Sequence, residues 1–177
     1  MRLFIAFDIS DEAKEELLKA QSELKKADAK LTLAKEFHLT LKFLGEVEDK
    51  KVDEIKDRLS KVRFEQFDAE LDGTGVFPTE DYIRVVWVGL EPKDKITTLQ
   101  QKIEEALLGM FLKDTRFHPH LTLARVKFVK DKKGFIEKLK KIKMEKKAFS
   151  LSIFKLIKST LTPKGPVYEV LEEFKAV

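Results

Sequence analysis

The sequence His-Leu-Thr-Leu occurs twice in this 177-residue chain, at residues 38–41 and again, 82 residues later, at residues 120–123. The same offset brings the helix-like segment 47–62 onto 129–144, including a shared Asp-Lys-Lys triplet. Self-similarity at a fixed offset is the signature of a duplicated structural unit. The sequence therefore predicts two similar halves related by pseudo-twofold symmetry, which would let the two histidines face one another.

Each half has the pattern strand, helix, histidine-containing strand, helix, strand. The segments 11–27 and 94–109 carry apolar residues at helical spacings of three and four, and Phe67 and Phe149 each open an alternating run typical of a strand. The predicted fold class is α+β. We expect a bilobal fold of duplicated β-α-β-α-β units, with antiparallel or mixed sheets around a central groove.

The chain has no Ser/Gly-rich linker between the halves, so residues 1–177 are predicted to form one bilobal domain. The repeats are placed at approximately 1–82 and 83–160, and a C-terminal strand at 166–174 follows a Pro/Gly turn. Taken alone, the repeat suggests one lobe for each half of the sequence.

Composition limits the class of protein. The chain has no cysteine, which excludes disulfides and cysteine-ligated metals, and no apolar run approaches the roughly 18–20 residues of a membrane helix. The N-terminal stretch resembles a buried strand more than a signal peptide, so a cytoplasmic location is expected. The absence of asparagine and the abundance of Lys and Glu favour a thermophilic source, although codon bias can produce a similar composition.

The net charge of +4 is unevenly distributed. Residues 1–82 carry 14 basic and 20 acidic side chains (net −6), whereas residues 83–177 carry 21 and 11 (net +10). Ten lysines and three acids lie between Lys127 and Lys147. A basic surface of this kind suits a polyanion such as RNA, but a solvated lysine-rich helix face is the commoner origin of such runs.

The duplicated motif carries groups suited to phosphoryl chemistry. Residues i and i+2 of a strand share a face, so His38 lies beside Thr40 and His120 beside Thr122, while the leucines between them point into the core. Two imidazoles with pKa values near 6.5 can act as acid and base at neutral pH. The hydroxyls can donate hydrogen bonds to the non-bridging oxygens of a phosphodiester.

A metal site is the competing interpretation. His118 and His120 have the i, i+2 spacing of zinc ligands on a strand, and His38 could complete a set of three. Pro119, however, restricts His118 to an extended entry into the strand, and Glu36 takes the place of His118 in the other repeat. We therefore expect no metal and no other cofactor, with His118 near the rim of the groove.

The pair of motifs resembles the two-histidine phosphoesterase superfamily. The stretches RLFIAFDIS, FHLTLKFLGEV, RVVWVGL, FHPHLTLARVK and LIKSTLTPKGPVYEVL resemble more closely the RNA 2′,3′-cyclic phosphodiesterase family, also called the 2′-5′ RNA ligase family. The resemblance implies that the N- and C-terminal segments share one lobe. It implies hydrolysis of RNA 2′,3′-cyclic phosphate ends to 2′-phosphates, and in some members ATP-independent 2′-5′ ligation. By the same resemblance His38 is the proton donor and His120 the proton acceptor, roles that the residues alone leave open.

Further substrate-binding candidates are weaker. Alternation places Lys42 on the face of His38, where it could pair with a phosphate, and Arg125 on the opposite face from His120 unless a bulge intervenes. Arg84, Ser159 and Lys158 lie in family-like strands. Phe7 or Phe43 could stack a base, but core packing is the expected role of both.

The expected partner is RNA with a 2′,3′-cyclic phosphate end. No membrane and no protein partner is predicted, and the chain is expected to be a monomer. Two other functions stay open from the sequence: a non-catalytic RNA-binding module, and a phosphodiesterase that acts on small cyclic nucleotides.

Overall fold

A computed structural model describes all residues from 1 to 177, with nine strands and four α-helices. The strands are β1 (Arg2–Asp8), β2 (Ala29–Leu33), β3 (His38–Glu46), β4 (Phe67–Thr79), β5 (Tyr82–Glu91), β6 (His120–Val129), β7 (Phe149–Leu151), β8 (Ile153–Thr162) and β9 (Gly165–Lys175). The helices are α1 (Asp11–Leu24), α2 (Val52–Ser60), α3 (Lys93–Ala106) and α4 (Lys132–Lys141).

The strands form two antiparallel sheets. One has the order β3-β1-β8-β9, and the other has the order β2-β6-β5-β4-β7. The chain crosses between the sheets, because β4 of the first half pairs with β5 and β8 of the second half pairs with β1. The predicted α+β fold class is confirmed, but the two sheets do not correspond to the two halves of the sequence.

Local sequence explains where two of the helices begin. The Ser10 hydroxyl accepts a hydrogen bond from the Ala13 amide at the start of α1 (3.2 Å), and Asp131 caps α4 through the Gly134 amide (3.1 Å). The apolar faces of the helices pack onto the sheets in one large core. None of the four helices has the length and apolar character needed to cross a membrane.

The two histidine strands bury their residues in the same order. Within each motif the histidine and threonine are half-buried, whereas both leucines are almost completely buried. This confirms the predicted alternation. The other face of each motif lies away from the core, and β3 and β6 are in contact between the sheets.

Both histidine strands contain a β-bulge directly after the motif. The register with β1 passes from Thr40 to Lys42 and skips Leu41, and the register with β5 passes from Thr122 to Ala124. One extra residue reverses the facing of the residues that follow, as far as the next register shift of the strand. The bulges therefore decide which side chains after each motif lie on the same face as its histidine and threonine.

Candidate active site

His38 lies at the start of β3 in an aromatic and largely buried setting. Its ring makes edge contacts with Phe4 and Tyr168, with centroids 5.9 and 5.1 Å apart, and its side chain is 15% exposed. Asp8, the last residue of β1, is its cross-strand neighbour. The histidine is thus held by β1 and by the C-terminal hairpin together.

Two carboxylates influence the protonation of His38. Burial lowers the pKa of its imidazole, while the negative charges of Asp8 and Glu36 act in the opposite direction. The Glu36 carboxylate is 3.9 Å from the imidazole Nε2. Lys155 holds Asp8 in an ion pair of 2.6 Å and also contacts Glu173 at 3.3 Å. Asp8 and Glu36 thus offset part of the lowering of the His38 pKa, to which Lys14 and Lys155 also contribute.

His120 lies at the start of β6 and has a different neighbour. Its Nδ1 is 2.7 Å from the backbone carbonyl oxygen of His118. Because a carbonyl can only accept, Nδ1 carries the proton and donates it, so in the neutral ring Nε2 keeps its lone pair. Burial lowers the pKa of His120, the hydrogen bond to the His118 carbonyl acts in the opposite direction, and no carboxylate contributes. The neutral form is favoured here.

Aromatic rings support His120. Phe77 meets it edge-on at 5.0 Å between centroids, and Trp87 lies behind, 4.8 Å from the ring of His118. Gly75 allows this arrangement, since a Cβ there would lie 2.2 Å from the Trp87 ring. His118 precedes β6, as predicted for a strand-entry residue, but its ring is packed among these aromatics rather than at the rim.

The structure does not support a metal site formed by His38, His118 and His120. The Nδ1 atom of His118 is buried without a hydrogen-bond partner, beside the Phe77 and Trp87 rings. No group of three or more His, Cys, Asp or Glu side chains is arranged to hold a metal ion.

Lys42 has a role other than the predicted one. The bulge at Leu41 turns its side chain into the interior, where it is only 4% exposed and pairs with Glu104 (2.9 and 2.8 Å). The ammonium group also donates a hydrogen bond to the Leu112 carbonyl oxygen (2.9 Å). The prediction that Lys42 binds a phosphate is therefore wrong, because the ammonium group has no free donor.

The equivalent bulge in β6, at Leu123, changes the face on which Arg125 lies. The skipped residue in β6 places Arg125 on the face of His120 and Thr122, whereas simple alternation placed it opposite. Its charge reaches Tyr168 of the other sheet: burial raises the pKa of Tyr168, and Arg125 and Arg2 work against that rise. No local pattern marks Tyr168 as a neighbour of His38, although it lies in a family-like strand, because the two residues are 130 positions apart in the sequence.

The remaining candidates are dispersed. Arg84 lies near the β4–β5 turn, where its guanidinium stacks on the Tyr82 ring at 4.6 Å. Ser159 is paired in register with both Arg2 and Tyr168, and Tyr168 is one of the two aromatic contacts of His38. Lys158 is 3.8 Å from Glu169. Of these, Ser159 is the one that the structure brings to the His38 side of the groove.

The two phenylalanines have different environments. Phe7 is 1% exposed, which confirms its expected place in the core. Phe43 is 71% exposed, so the expectation of core packing is wrong there. It occupies the position in β3 that Arg125 occupies in β6, after the bulge, and lies 6.1 Å from the ring of Phe4. Phe43 therefore offers an exposed aromatic face beside the first motif.

Comparison with known proteins assigns the family. The model of the LigT-like phosphoesterases matches the chain twice, over residues 7–87 and 88–168, so that each match contains one His-x-Thr motif. The chain belongs to the LigT-like phosphoesterase family. The resemblance seen in the sequence is confirmed, and the protein is an enzyme of this family rather than a non-catalytic RNA-binding module.

Individual relatives agree with this LigT-like assignment. The chain is 39% identical to the RNA 2′,3′-cyclic phosphodiesterase of Methanocaldococcus jannaschii over 98% of its own length and 100% of that protein. It is 36% identical to the enzyme of that name from Archaeoglobus fulgidus, over 99% and 100%. Among solved structures, TT0787 of Thermus thermophilus superimposes with a TM-score of 0.82 at 31% identity, covering 99% of this chain and 97% of that one.

Proposed function

We propose that this protein hydrolyses RNA 2′,3′-cyclic phosphate ends to 2′-phosphates, without a metal ion, using His38 as proton donor and His120 as proton acceptor. One observation carries the proposal. Two His-x-Thr motifs occupy matched positions on β3 and β6, yet their histidines have different surroundings: carboxylates lie near His38, and a backbone carbonyl accepts from His120. Relatives that align over almost the whole chain carry the name of this activity.

His120 suits the role of base. Donation from Nδ1 to the His118 carbonyl fixes the ring orientation and leaves Nε2 to accept a proton. The same hydrogen bond stabilises the imidazolium that forms when the proton arrives, because a charged donor bonds more strongly. A neutral starting state follows from burial without a nearby carboxylate.

His38 suits the role of acid. Asp8 and Glu36 favour its protonated form, and a bound phosphodiester anion adds a further negative charge. Both histidines have lowered pKa values when the groove is empty. The substrate itself would therefore help to charge His38, the imidazole that already has carboxylates beside it.

The proposed reaction is an in-line displacement at phosphorus. Water loses a proton to Nε2 of His120 as its oxygen bonds to phosphorus. The bond from phosphorus to the ribose O3′ breaks, and O3′ takes a proton from His38. Thr40 and Thr122 donate to the non-bridging oxygens, where charge accumulates. His38 ends neutral and His120 protonated, and exchange with solvent restores both.

The RNA chain would be held next to the reacting phosphate. Arg125 offers a guanidinium suited to the phosphate backbone, and Phe43 and Tyr168 offer aromatic faces for a base. Ser159, which pairs with Tyr168, is kept as a weaker contact, whereas Arg84 near the β4–β5 turn is not. A cyclic mononucleotide has one base and one phosphate, so it would leave some of these groups without a partner. The arrangement therefore favours an RNA end over a small cyclic nucleotide as substrate.

The same chemistry permits ligation. A 5′-hydroxyl in place of water would give a 2′-5′ linkage without ATP, because the strained ring supplies the driving force. We also keep the predictions of a monomer without a protein partner and of a cytoplasmic location. The last is supported by the absence of cysteine and by the RNA substrate.

The test of this proposal uses purified protein in EDTA with an oligonucleotide that ends in a 2′,3′-cyclic phosphate. We expect loss of the cyclic end and a ³¹P signal that matches the 2′-phosphate standard. Activity that requires added metal would contradict the metal-independent mechanism. A 3′-phosphate product would contradict the assignment of O3′ as leaving group while leaving the pair of histidines in place.

A further inference from the structure

Five polar or charged side chains are buried among the apolar core: Glu16, Gln21, Lys42, Gln100 and Glu104. Burial of such groups is costly unless each finds hydrogen-bond partners. Four of them, all except Glu16, belong to two clusters, and each cluster touches a histidine strand at its bulge. The proposed mechanism gives neither cluster a role.

The first cluster joins α3 to β3. Both Glu104 oxygens accept from Lys42 Nζ (2.9 and 2.8 Å), and Oε1 also accepts from Gln100 Nε2 at 2.9 Å. Lys42 occupies this position only because the bulge at Leu41 turns it inward. We call Lys42, Glu104 and Gln100 the β3 clamp.

The β3 clamp also reaches the chain that leads to the second motif. Lys42 donates a third hydrogen bond to the carbonyl of Leu112 (2.9 Å), and Glu104 accepts a hydrogen bond from the amide of Asp114 (3.3 Å). Leu112 itself is 93% exposed, so the clamp holds this part of the segment by its backbone, whereas Met110, Phe111 and Phe117 pack against the core. Residues 107–119 connect α3 to His120. The clamp therefore bonds to the strand of one histidine and to the approach of the other.

The second cluster repeats this arrangement on the other side with one residue. Gln21 of α1 donates from Nε2 to the carbonyl of Leu123, the bulged residue of β6, and to the carbonyl of Ala34, both at 2.9 Å. The Ala34 amide donates to the Leu123 carbonyl as well (2.9 Å). Residues 34–37 lead directly into His38. We call Gln21 the β6 clamp.

The two clamps share one connectivity. In the β3 clamp, helix α3 bonds to the bulge of β3 and to the segment that leads into His120. In the β6 clamp, helix α1 bonds to the bulge of β6 and to the segment that leads into His38. Each helix thus connects the histidine strand of the other half of the sequence to the segment before the histidine of its own half. Helix α1 packs against β6 and α3 against β3, in agreement with this crossing. A displacement of either strand relative to the other would break hydrogen bonds in both clamps.

We propose that the β3 and β6 clamps are positioning devices that fix the two His-x-Thr motifs relative to one another across the groove. The inference rests on the proposed function. Polar groups suit this task because hydrogen bonds are directional, whereas apolar contacts tolerate sliding. A buried ion pair often adds little net stability compared with apolar residues, so the presence of Lys42–Glu104 requires another reason. Positioning of acid and base is that reason.

The main test is the double variant Lys42→Met/Glu104→Gln. The carboxamide oxygen can still accept from Gln100 and Asp114, and no buried charge is left unpaired, but the bond to β3 is lost. We expect kcat on the cyclic-phosphate oligonucleotide to fall by roughly 10–10²-fold at a temperature where the variant is fully folded, with a smaller change in KM. The matched control, Asp57→Asn/Lys61→Met, removes an exposed ion pair on α2 and should keep wild-type kcat.

A merely structural ion pair predicts something else. The melting temperature would fall, but kcat of the folded double variant would stay within about twofold of wild type, and this result would overturn the proposal. Gln21→Met provides a second measurement if the double variant does not fold. It removes only the β6 clamp. We expect kcat to fall by about tenfold, because the position of His120 relative to His38 is then less tightly fixed. Unchanged kcat in folded Gln21→Met would also overturn the proposal.

A physical readout separates the clamp from the activity. The chain has no cysteine, so Glu46→Cys on β3 and Lys127→Cys on β6 can carry one spin label each. Pulsed EPR should show a broader or shifted distance distribution when the β3 clamp is removed. An unchanged distribution would contradict the clamp even in an active enzyme. Absence of turnover in the wild type would contradict the proposed function, and the EPR result would still decide the clamp.

Discussion

A single tripeptide pattern gives two different imidazoles in this molecule. His38 has Asp8 opposite and Glu36 close by, whereas His120 has a carbonyl on Nδ1 and aromatic rings around it. Duplication alone would make two equivalent groups. The differences arise from residues outside the motif, and the proposed assignment of acid and base rests on them.

The division of roles can be tested with a leaving group that needs no proton. Replacing the bridging O3′ of the cyclic ester by sulfur gives a thiolate, whose conjugate acid has a pKa near 8.5 rather than that of an alcohol. We expect His38→Ala to recover most of its lost rate on this substrate and His120→Ala to recover none. Single-turnover rates of both variants on both substrates make the comparison. Rescue of His120→Ala instead would mean that the roles are reversed.

Asp8 should set the titration of the acid. Its negative charge acts against the lowering of the His38 pKa by burial, so its removal lowers that pKa further. For Asp8→Asn we expect one limb of the pH profile of kcat/KM to move to lower pH while the other stays. In the wild type, both pKa values lie below the ordinary 6.5, so the bell should have its maximum on the acid side of that value. A shift of both limbs would show that the substitution changes the surroundings of both histidines, and would contradict a specific effect of the Asp8 charge on His38.

At the scale of the strands, the bulges separate what sequence could predict from what it could not. Alternation correctly placed the motif residues, because no irregularity occurs between His38 and Thr40. It failed at Lys42 and Phe43, since a bulge adds a residue without a mark in the side-chain pattern. The repeat contained a usable signal: Ala124, the counterpart of Lys42, is apolar, as an inward position requires.

The aromatic support of His120 depends on a glycine in the neighbouring strand. A methyl group at Gly75 would lie 2.2 Å from the Trp87 ring, so that ring would have to move. We expect Gly75→Ala to destabilise the fold by roughly 1–3 kcal/mol through overpacking and to lower kcat as His120 shifts. Chemical denaturation and turnover are the measurements. Gly73→Ala is the matched control in β4, where nothing lies within 4 Å, and equal effects at both positions would contradict this account.

At the scale of the whole molecule, the order of strands explains how residues distant in sequence come together around the first histidine. The C-terminal hairpin of β8 and β9 joins the sheet of β1 and β3, and so brings Tyr168 to His38. The family resemblance implied that the ends of the chain share a lobe, whereas the repeat alone suggested otherwise. The contact of Tyr168 with His38 spans 130 residues, and the bonds from Gln21 to Leu123 and from Lys42 to Glu104 span 102 and 62. Contacts so far apart leave no local pattern in the sequence, so they required the structure.

The buried histidines also affect the stability of the whole fold. Their pKa values are lower in the folded state than in the unfolded state, so unfolding takes up protons below about pH 6.5. Their contribution is therefore present above that pH and is lost as pH falls towards the folded-state values. We expect the melting temperature to drop between pH 7 and 5 by more in the wild type than in His38→Gln/His120→Gln. Equal drops would show that the imidazoles titrate normally.

The most direct test of the central claim is the rate of cleavage of a 2′,3′-cyclic phosphate oligonucleotide in EDTA by the three single histidine variants. We predict that His38→Ala and His120→Ala each lose roughly 10²–10⁴-fold in kcat, the usual contribution of a positioned acid or base. His118→Ala should keep most of its activity, because the carbonyl that orients His120 belongs to the backbone. Comparable losses in all three variants, or activity restored by metal in the wild type, would contradict acid–base catalysis by His38 and His120.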